Sequence, residues 1–318
     1  MKKILVTGAA GFIGSNLINQ LLGAGLQVIG IDNFDDFYPK AIKETNLNTA
    51  FKYTSFSFFK SSILDIDSTG MPDDIDCVIH LAAKAGIQPS INDPSGYIDT
   101  NIQGTQAILN FMQNKRIKKL VFASSSSVYG NTDKVPFLES AKTDEPISPY
   151  AATKKAGELL CKTMHHLTGI DIICLRLFTV YGPGQRPDLA IHKFFKLINS
   201  NKPIQLYGDG STSRDYTYVS DIVNGINLAA NYLMANDNVF EIVNLGNEYP
   251  VSLNELIKII KEVAEVPVNI NMIDKKPGDV DITYADITKA KQLLGYAPSV
   301  TIEQGIRNFY NWFRLNNQ

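Results

Sequence analysis

The chain has 318 residues, 44% of them hydrophobic and 19% charged, which excludes a disordered polypeptide and supplies apolar residue for a large core. A formal net charge of -2 carries no electrostatic footprint for nucleic acid or for an anionic membrane surface. Three cysteines without metal-ligand spacing, and no apolar run of membrane-spanning length, point to a soluble protein in a reducing, cytoplasmic compartment with no bound metal.

Ile4-Leu5-Val6 reads as a short buried strand, and glycines follow it at once in Gly8-Ala9-Ala10-Gly11-Phe12-Ile13-Gly14. A helix is expected over 13–23. Gly8 permits a tight turn, Gly11 lets backbone approach a pyrophosphate, and Gly14 lets the helix pack on the strand. Free N–H groups and the positive dipole end at the helix start favour phosphate. The spacing GxxGxxG is a variant of the dinucleotide-binding fingerprint, and by itself could be an ordinary strand–helix turn. A second strand, Gln27 to Ile31, ends at Asp32, eighteen residues past Gly14. An acid there accepts hydrogen bonds from an adenosine ribose and repels a 2′-phosphate, so NAD is expected over NADP.

Further strands are expected at 77–81, 120–123 and 170–175, with helices near 97–114 and 150–168. Strand–helix alternation of this kind implies a parallel sheet covered on both faces. The strand at 120–123 runs into Ser124-Ser125-Ser126-Ser127-Val128-Tyr129-Gly130, and hydroxyls beyond the carboxyl end of a parallel strand sit where ligands bind. Pro149 is well placed to open the helix that carries Tyr150 and Lys154, which share one face at four-residue spacing. A free phenol is a poor base at neutral pH, but a nearby ammonium and an oxidised nicotinamide both favour the phenolate. Tyr150 then becomes a usable acid/base with Lys154 as its helper. Ala152, Ala156, Leu159, Thr163 and Leu167 stripe another face, so the helix is expected to pack on two sides, the second against a partner. Turn signals at Tyr181-Gly182-Pro183-Gly184 and Tyr207-Gly208-Asp209-Gly210 open a second half with helices near 189–199, 219–233, 252–264 and 301–314, and Ser252 three before Glu255 reads as a capping box.

Taken together, GAAGFIG, IDNF, HLAAKAG, NIQGT, SSSSVYG, SPYAATK, RLFTVYGP, RDYTYVSD and KKPGDV resemble the extended short-chain dehydrogenase/reductases of the nucleotide-sugar epimerase/dehydratase group over essentially the whole length. The resemblance implies an α/β fold: a Rossmann-type doubly wound parallel sheet over 1–176, rejoined by a segment at about 215–245. A smaller mixed α/β nucleotide-sugar domain would comprise 177–214 and 246–318. It implies NAD as cofactor, a UDP-sugar as substrate, and a homodimer built on the helices near 97–114 and 150–168.

By position, Ser125, Tyr150 and Lys154 match the catalytic set. Cofactor contacts match Gly8, Gly11, Phe12, Ile13, Gly14, Asp32 and Asn33, the strand end Leu81, Ala82, Ala83 and Lys84, and Asn101 and Phe178. One departure stands at the adenine site, where relatives often carry Gly-Asp and this chain has Ser61-Ser62-Ile63, so Ser62 and Ile63 are expected to take that contact.

The reaction is narrowed by what is missing. Dehydratases of the group typically carry Asp-Glu after the catalytic Thr, and decarboxylases a Glu before Val-Tyr-Gly. Here those positions are Ser126 and Ser127, which do not titrate near neutrality. The expectation is 4-epimerisation through a 4-keto sugar. The segment from Arg176 to Ala190 resembles UDP-glucuronate 4-epimerases. Ser126, Ser127 and Thr179 would bind a C6 carboxylate with Arg186 adding charge, Ala190 and Lys193 would lie toward uridine, and Arg214, Lys276 and Asp279 would hold the diphosphate and ribose. UDP-glucose and UDP-N-acetylglucosamine remain as alternative substrates, the latter because Thr283 stands where some relatives hold Tyr. Dehydration, decarboxylation and a non-catalytic nucleotide-binding module remain as other functions.

Overall fold

A computed structural model describes residues 2–132, 134–266, 268–274 and 280–316. Its strands are β1 (Lys3–Thr7), β2 (Gln27–Asp32), β3 (Phe56–Lys60), β4 (Cys77–His80), β5 (Lys119–Ser125), β6 (Asp171–Leu177), β7 (Thr179–Tyr181), β8 (Ile204–Tyr207), β9 (Ser213–Tyr218), β10 (Phe240–Leu245), β11 (Pro250–Ser252) and β12 (Ile270–Ile273). Its helices are α1 (Phe12–Gly23), α2 (Lys40–Leu47), α3 (Ile87–Asn92), α4 (Pro94–Ile98), α5 (Gly104–Asn114), α6 (Pro149–Thr168), α7 (Ala190–Asn199), α8 (Val219–Ala235), α9 (Leu253–Ala264), α10 (Thr288–Leu294) and α11 (Ile302–Asn316).

The described residues form a seven-stranded sheet in the order β10-β6-β5-β4-β1-β2-β3, parallel throughout. The order reverses at β1, and there a parallel doubly wound sheet opens a crevice beyond its strand ends. The apolar runs of β1, β4, β5 and β6 are buried on both faces, as a sheet covered by helices requires. α1 and α8 pack on one face, while α5 and α6 cover the other with Ile108, Phe111, Cys161 and Met164. The sheet is parallel and covered on both faces as the alternation implied, and its Rossmann-type order is the one the resemblance implied. The segment Val219–Leu245 returns to this sheet, since α8 packs on it and β10 pairs with β6 from Phe240↔Ile172 to Leu245↔Leu177.

Two smaller sheets, β11-β9-β7 and β12-β8, lie beyond the strand ends with α7, α9 and α11. The helix expected over 97–114 is present and starts earlier: α4, a π-wound stretch at Asp99–Gln103 and α5 run on without interruption. Asn101 sits in that wide turn, buried, with its side chain turned toward α6 and the β4 end. The Ser252 cap is present, its hydroxyl accepting from the Glu255 N–H at 3.1 Å.

Candidate active site

One cavity of about 970 Å³ runs from the β1–α1 turn, past the tips of β4 and β5, to α7, β8 and β9.

The nucleotide end is shaped by backbone. Gly8 has φ of +69°, and a Cβ there would lie 2.8 Å from the Ala82 nitrogen. A Cβ on Gly14 would lie 2.1 Å from the Gly8 carbonyl oxygen. No side chain other than hydrogen fits either place, so strand, turn and helix close on one another only with these glycines. α1 then starts at Phe12 with no side chain capping it, leaving its first N–H groups for a ligand. Asp32 closes this end. Its carboxylate accepts from the Ala10 N–H at 3.0 Å and the Phe34 N–H at 2.8 Å, and burial raises its pKa against those bonds and the nearby Lys43. Asn33, Ser62 and Ile63 line the same end, with the Ser62 hydroxyl also capping Leu64 N–H at 3.2 Å.

Leu81, Ala82, Ala83 and Lys84 line the middle of the cavity as the extension of β4. That extension is pinned from behind. The Thr7 hydroxyl accepts from Ala82 N–H at 3.0 Å and lies 2.7 Å from His80 Nδ1, whose Nε2 lies 3.2 Å from the Thr105 hydroxyl. Thr105 gives its own proton to the Asn101 carbonyl at 2.6 Å, so it accepts from His80 Nε2–H, and the ring is neutral with Nδ1 accepting from Thr7. Burial first, and the Lys154 charge second, push the His80 pKa down to about 3. Asn101 lies off the cavity wall. Its amide brackets Lys84, accepting from its N–H at 2.8 Å and donating to its carbonyl at 2.9 Å, and also donates to Thr153 at 2.9 Å. Thr153 in turn donates to the Tyr150 carbonyl at 2.8 Å, which couples the β4 end to the catalytic helix. The Lys84 ammonium is drawn to Asp93 at 2.9 Å.

Ser125, Tyr150 and Lys154 share this stretch of wall. Pro149 opens α6, and the Ser148 hydroxyl accepts from Ala151 N–H at 3.2 Å, so the cap fixes the Tyr150 backbone. The Tyr150 ring meets Tyr97 edge-on at 6.2 Å between centroids. Burial raises the phenol pKa, while the Ser125 hydroxyl and the Arg186 charge pull the other way. This differs from the expectation that Lys154 lowers it. The Lys154 ammonium, 5% exposed, instead donates to the Ala123 carbonyl at 2.7 Å, and burial brings its pKa down to about 8. Beneath them Arg176 and Glu158 form a bidentate buried pair at 2.8 and 2.9 Å, and Ser124 donates to Glu158 at 2.6 Å. Burial alone would raise the Glu158 pKa, but these bonds leave it below the usual carboxylate value. One turn past Lys154, that carboxylate ties α6 to the tips of β5 and β6.

Phe178, Thr179, Arg186, Ala190, Lys193 and Arg214 line the remaining length. Ser126 and Ser127, expected at a substrate carboxylate, lie off the cavity wall. A tight turn over Ser126–Tyr129 follows β5, and Ser127 is turned back on Ser125, donating its N–H to Ser125 Oγ and accepting from that hydroxyl, both at 3.1 Å. Thr283, the small residue where some relatives hold Tyr, is buried and accepts from Asp215 N–H at 3.0 Å. Lys276 and Asp279 lie outside the described residues. Sequence reasoning missed Phe37, Tyr38, Lys43 and Asp188 on the wall. Arg186 is held among them, paired to Asp188 at 2.8 Å, donating to the Ala85 carbonyl at 3.2 Å and stacked 4.8 Å from the Phe37 ring centre. The signal for Phe37 and Tyr38 was the Asn33-Phe34-Asp35-Asp36-Phe37-Tyr38 run after β2, aromatic for a loop.

The family model described as GDP-mannose 4,6 dehydratase matches residues 5–309. The chain belongs to this family. It is similar to a UDP-glucuronate 4-epimerase of Thermodesulfobacterium geofontis, 42% identical with 98% of this chain and 96% of that one covered. A solved UDP-glucuronic acid 4-epimerase from Bacillus cereus, in complex with UDP-glucuronic acid and NAD, superposes with a TM-score of 0.93 at 36% identity, covering 98% of this chain and 99% of that one. A UDP-N-acetylglucosamine 4-epimerase from Methanobrevibacter ruminantium, in complex with UDP-N-acetylmuramic acid, gives a TM-score of 0.90 at 32% identity, covering 99% and 98%.

Proposed function

We propose that this protein is an NAD-dependent epimerase that inverts C4 of UDP-glucuronate to give UDP-galacturonate. The observation that carries the reading is the meeting of Tyr150, Ser125 and the β4 end on one cavity that continues from the glycine turn to Arg214. NAD supplies the acceptor and donor of hydride at the sugar carbon, and the Gly8–Gly14 turn, Asp32 and the Leu81–Lys84 extension would hold it. Tyr150, as the phenolate that a bound oxidised nicotinamide favours, takes the O4 proton and becomes the phenol, Ser125 holds O4 and relays that proton, and Lys154 stands on the same stretch of wall. The resulting 4-keto sugar turns over between the walls, and Tyr150 returns the proton once the other face is presented. No titrating side chain stands at Ser126 or Ser127 to expel water or carbon dioxide, which supports epimerisation over dehydration or decarboxylation.

Arg186 supports a carboxylate at C6, reached by exchanging Asp188 for the substrate. That same ion pair favours a second reading, in which Asp188 keeps Arg186 and the substrate is UDP-glucose or UDP-N-acetylglucosamine. By the resemblance, we assign Lys276 to the diphosphate and Asp279 to the ribose, together with Arg214 and Lys193 as substrate-binding residues. We take 1–176 with the returning 215–245 segment as the cofactor domain and 177–214 with 246–318 as the substrate domain. Leu159, Leu167 and Ile98 are 55%, 70% and 45% exposed on α6 and α4, which supports a homodimer through these helices, testable by light scattering. No helix among the described residues is long and apolar enough to cross a membrane, and the three cysteines are free and buried, which supports a reducing cytoplasm. Incubation with each UDP-sugar, followed by proton NMR, tests the reading: UDP-glucuronate is converted. Conversion of UDP-glucose or UDP-N-acetylglucosamine alone would give the second reading.

A further inference from the structure

Lys43 is a charged side chain only 6% exposed, in the middle of α2, and it lines the cavity beside Asp32, Asn33 and Tyr38. Burial lowers its pKa, while Asp32 and Asp35 sustain its charge, and Asp32 is eased in return by Lys43. The ammonium donates to the Asp35 carbonyl and sits 4.6 Å from the centre of the Tyr38 ring. An ammonium has three donors, so among the described residues two remain for a ligand at the Asp32 end. Burying a charge is costly, and here the cost is offset by Asp32, Asp35 and the Tyr38 ring, an arrangement that keeps a cation at the cavity wall.

We infer that Lys43 is a specificity-determining residue at the adenosine ribose: with Asp32 it reads the 2′,3′-diol, and it is also the cation that a 2′-phosphate would meet, so the Asp32 charge is the main element that keeps NADP out. This rests on the cofactor reading above. Asp32 accepts from the diol and Lys43 donates to it, a pair that discriminates a neutral diol from a dianion. Removing the Asp32 charge takes away the largest carboxylate influence on the buried Lys43 ammonium, leaving the weaker Asp35 and Asp36, so an incoming 2′-phosphate meets a cation with less of its charge already answered. Asn at position 32 still accepts from one of the two backbone N–H groups that now hold the carboxylate.

The test uses purified enzyme equilibrated with equal NAD and NADP, desalted and denatured, with the released nucleotides measured by chromatography. Wild type carries NAD. Asp32→Asn raises the NADP-to-NAD ratio by about a hundredfold, Lys43→Met on that background reverses at least about tenfold of the gain, and Lys43→Arg keeps it. An unchanged ratio in Asp32→Asn overturns the inference. So does a Lys43→Met change that lowers both nucleotides alike, the mark of a pyrophosphate cation. Should Asp32→Asn fail to fold, Lys43→Met alone is decisive through dissociation constants: weak NADP binding falls further than NAD binding, and an equal fall contradicts the proposal. A wild-type enzyme that carried neither dinucleotide would overturn the cofactor reading itself, and this inference with it.

Discussion

The two ends of the cavity are built differently. At the strand tips, every reacting group is fixed from behind by buried polar contacts: Thr7–His80–Thr105 under the β4 end, Asn101–Thr153 between that end and α6, and Arg176–Glu158–Ser124 under β5. At the far end, the helix α7 and the short strands β8 and β9 present Lys193 and Gln205, both exposed, and Tyr207 and Arg214, both half-buried. Chemistry that must place a proton within a fraction of an ångström sits on rigid elements, and recognition that distinguishes one sugar nucleotide from another sits on adaptable ones. Variants at the strand tips should therefore change turnover or stability, while variants toward the substrate end should change substrate preference.

The largest expected effect is on turnover. Tyr150→Phe removes the proton carrier and leaves the ring against Tyr97, so kcat falls by about a thousandfold with the melting temperature and bound NAD retained; near-normal kcat would break the comparison. Glu158→Gln leaves Arg176 buried without its counter-charge. A loss of about 3–5 kcal/mol in denaturant unfolding is expected, from a pair whose side chains are 1% and 2% exposed.

His80 gives a pH-dependent test. The unfolded histidine takes up a proton near pH 6.5, whereas the folded one resists to about 3, so its neutral form favours folding above that window and stability is lost as pH falls through it. His80→Gln should flatten the difference between unfolding free energies at pH 7 and pH 4 by a few kcal/mol, on the order of 1.4 kcal/mol for each unit of pH. The smallest effect belongs to the substrate side. Arg186→Met should raise KM for UDP-glucuronate about tenfold while leaving UDP-glucose within about twofold, and an equal change for both would assign Arg186 to packing on Phe37.

How much of this was legible in the sequence follows the same division. The glycine turn, the acid ending β2 and the Tyr150–Lys154 pair are local patterns, fixed by strand, turn and helix spacing within a few residues, and all fall on the cavity wall. The contacts that lock them are not local. Glu158 and Arg176 lie on different elements, and no periodicity pairs them. The π-wound stretch at Asp99–Gln103 carries Asn101, whose amide reaches Lys84 and Thr153, tertiary contacts that the apolar spacing of the helix does not announce. Ser126 and Ser127 looked like ligand hydroxyls because strand alternation says nothing about the tight turn that follows β5. β3, with Phe56, Phe58 and Phe59 around Ser57, and the three-residue β7 and β11 are too short or too irregular to announce themselves. Lys43 was hidden because one lysine on a polar eight-residue helix looks solvated until the fold buries it.

The central claim is that one phenol and one hydride carrier act on the same sugar carbon. UDP-glucuronate carrying deuterium at C4 measures this directly. The account predicts UDP-galacturonate with the deuterium still on C4. Product that has exchanged the label for solvent hydrogen, or full recovery of unchanged UDP-glucuronate under conditions where another UDP-sugar is inverted, would contradict it.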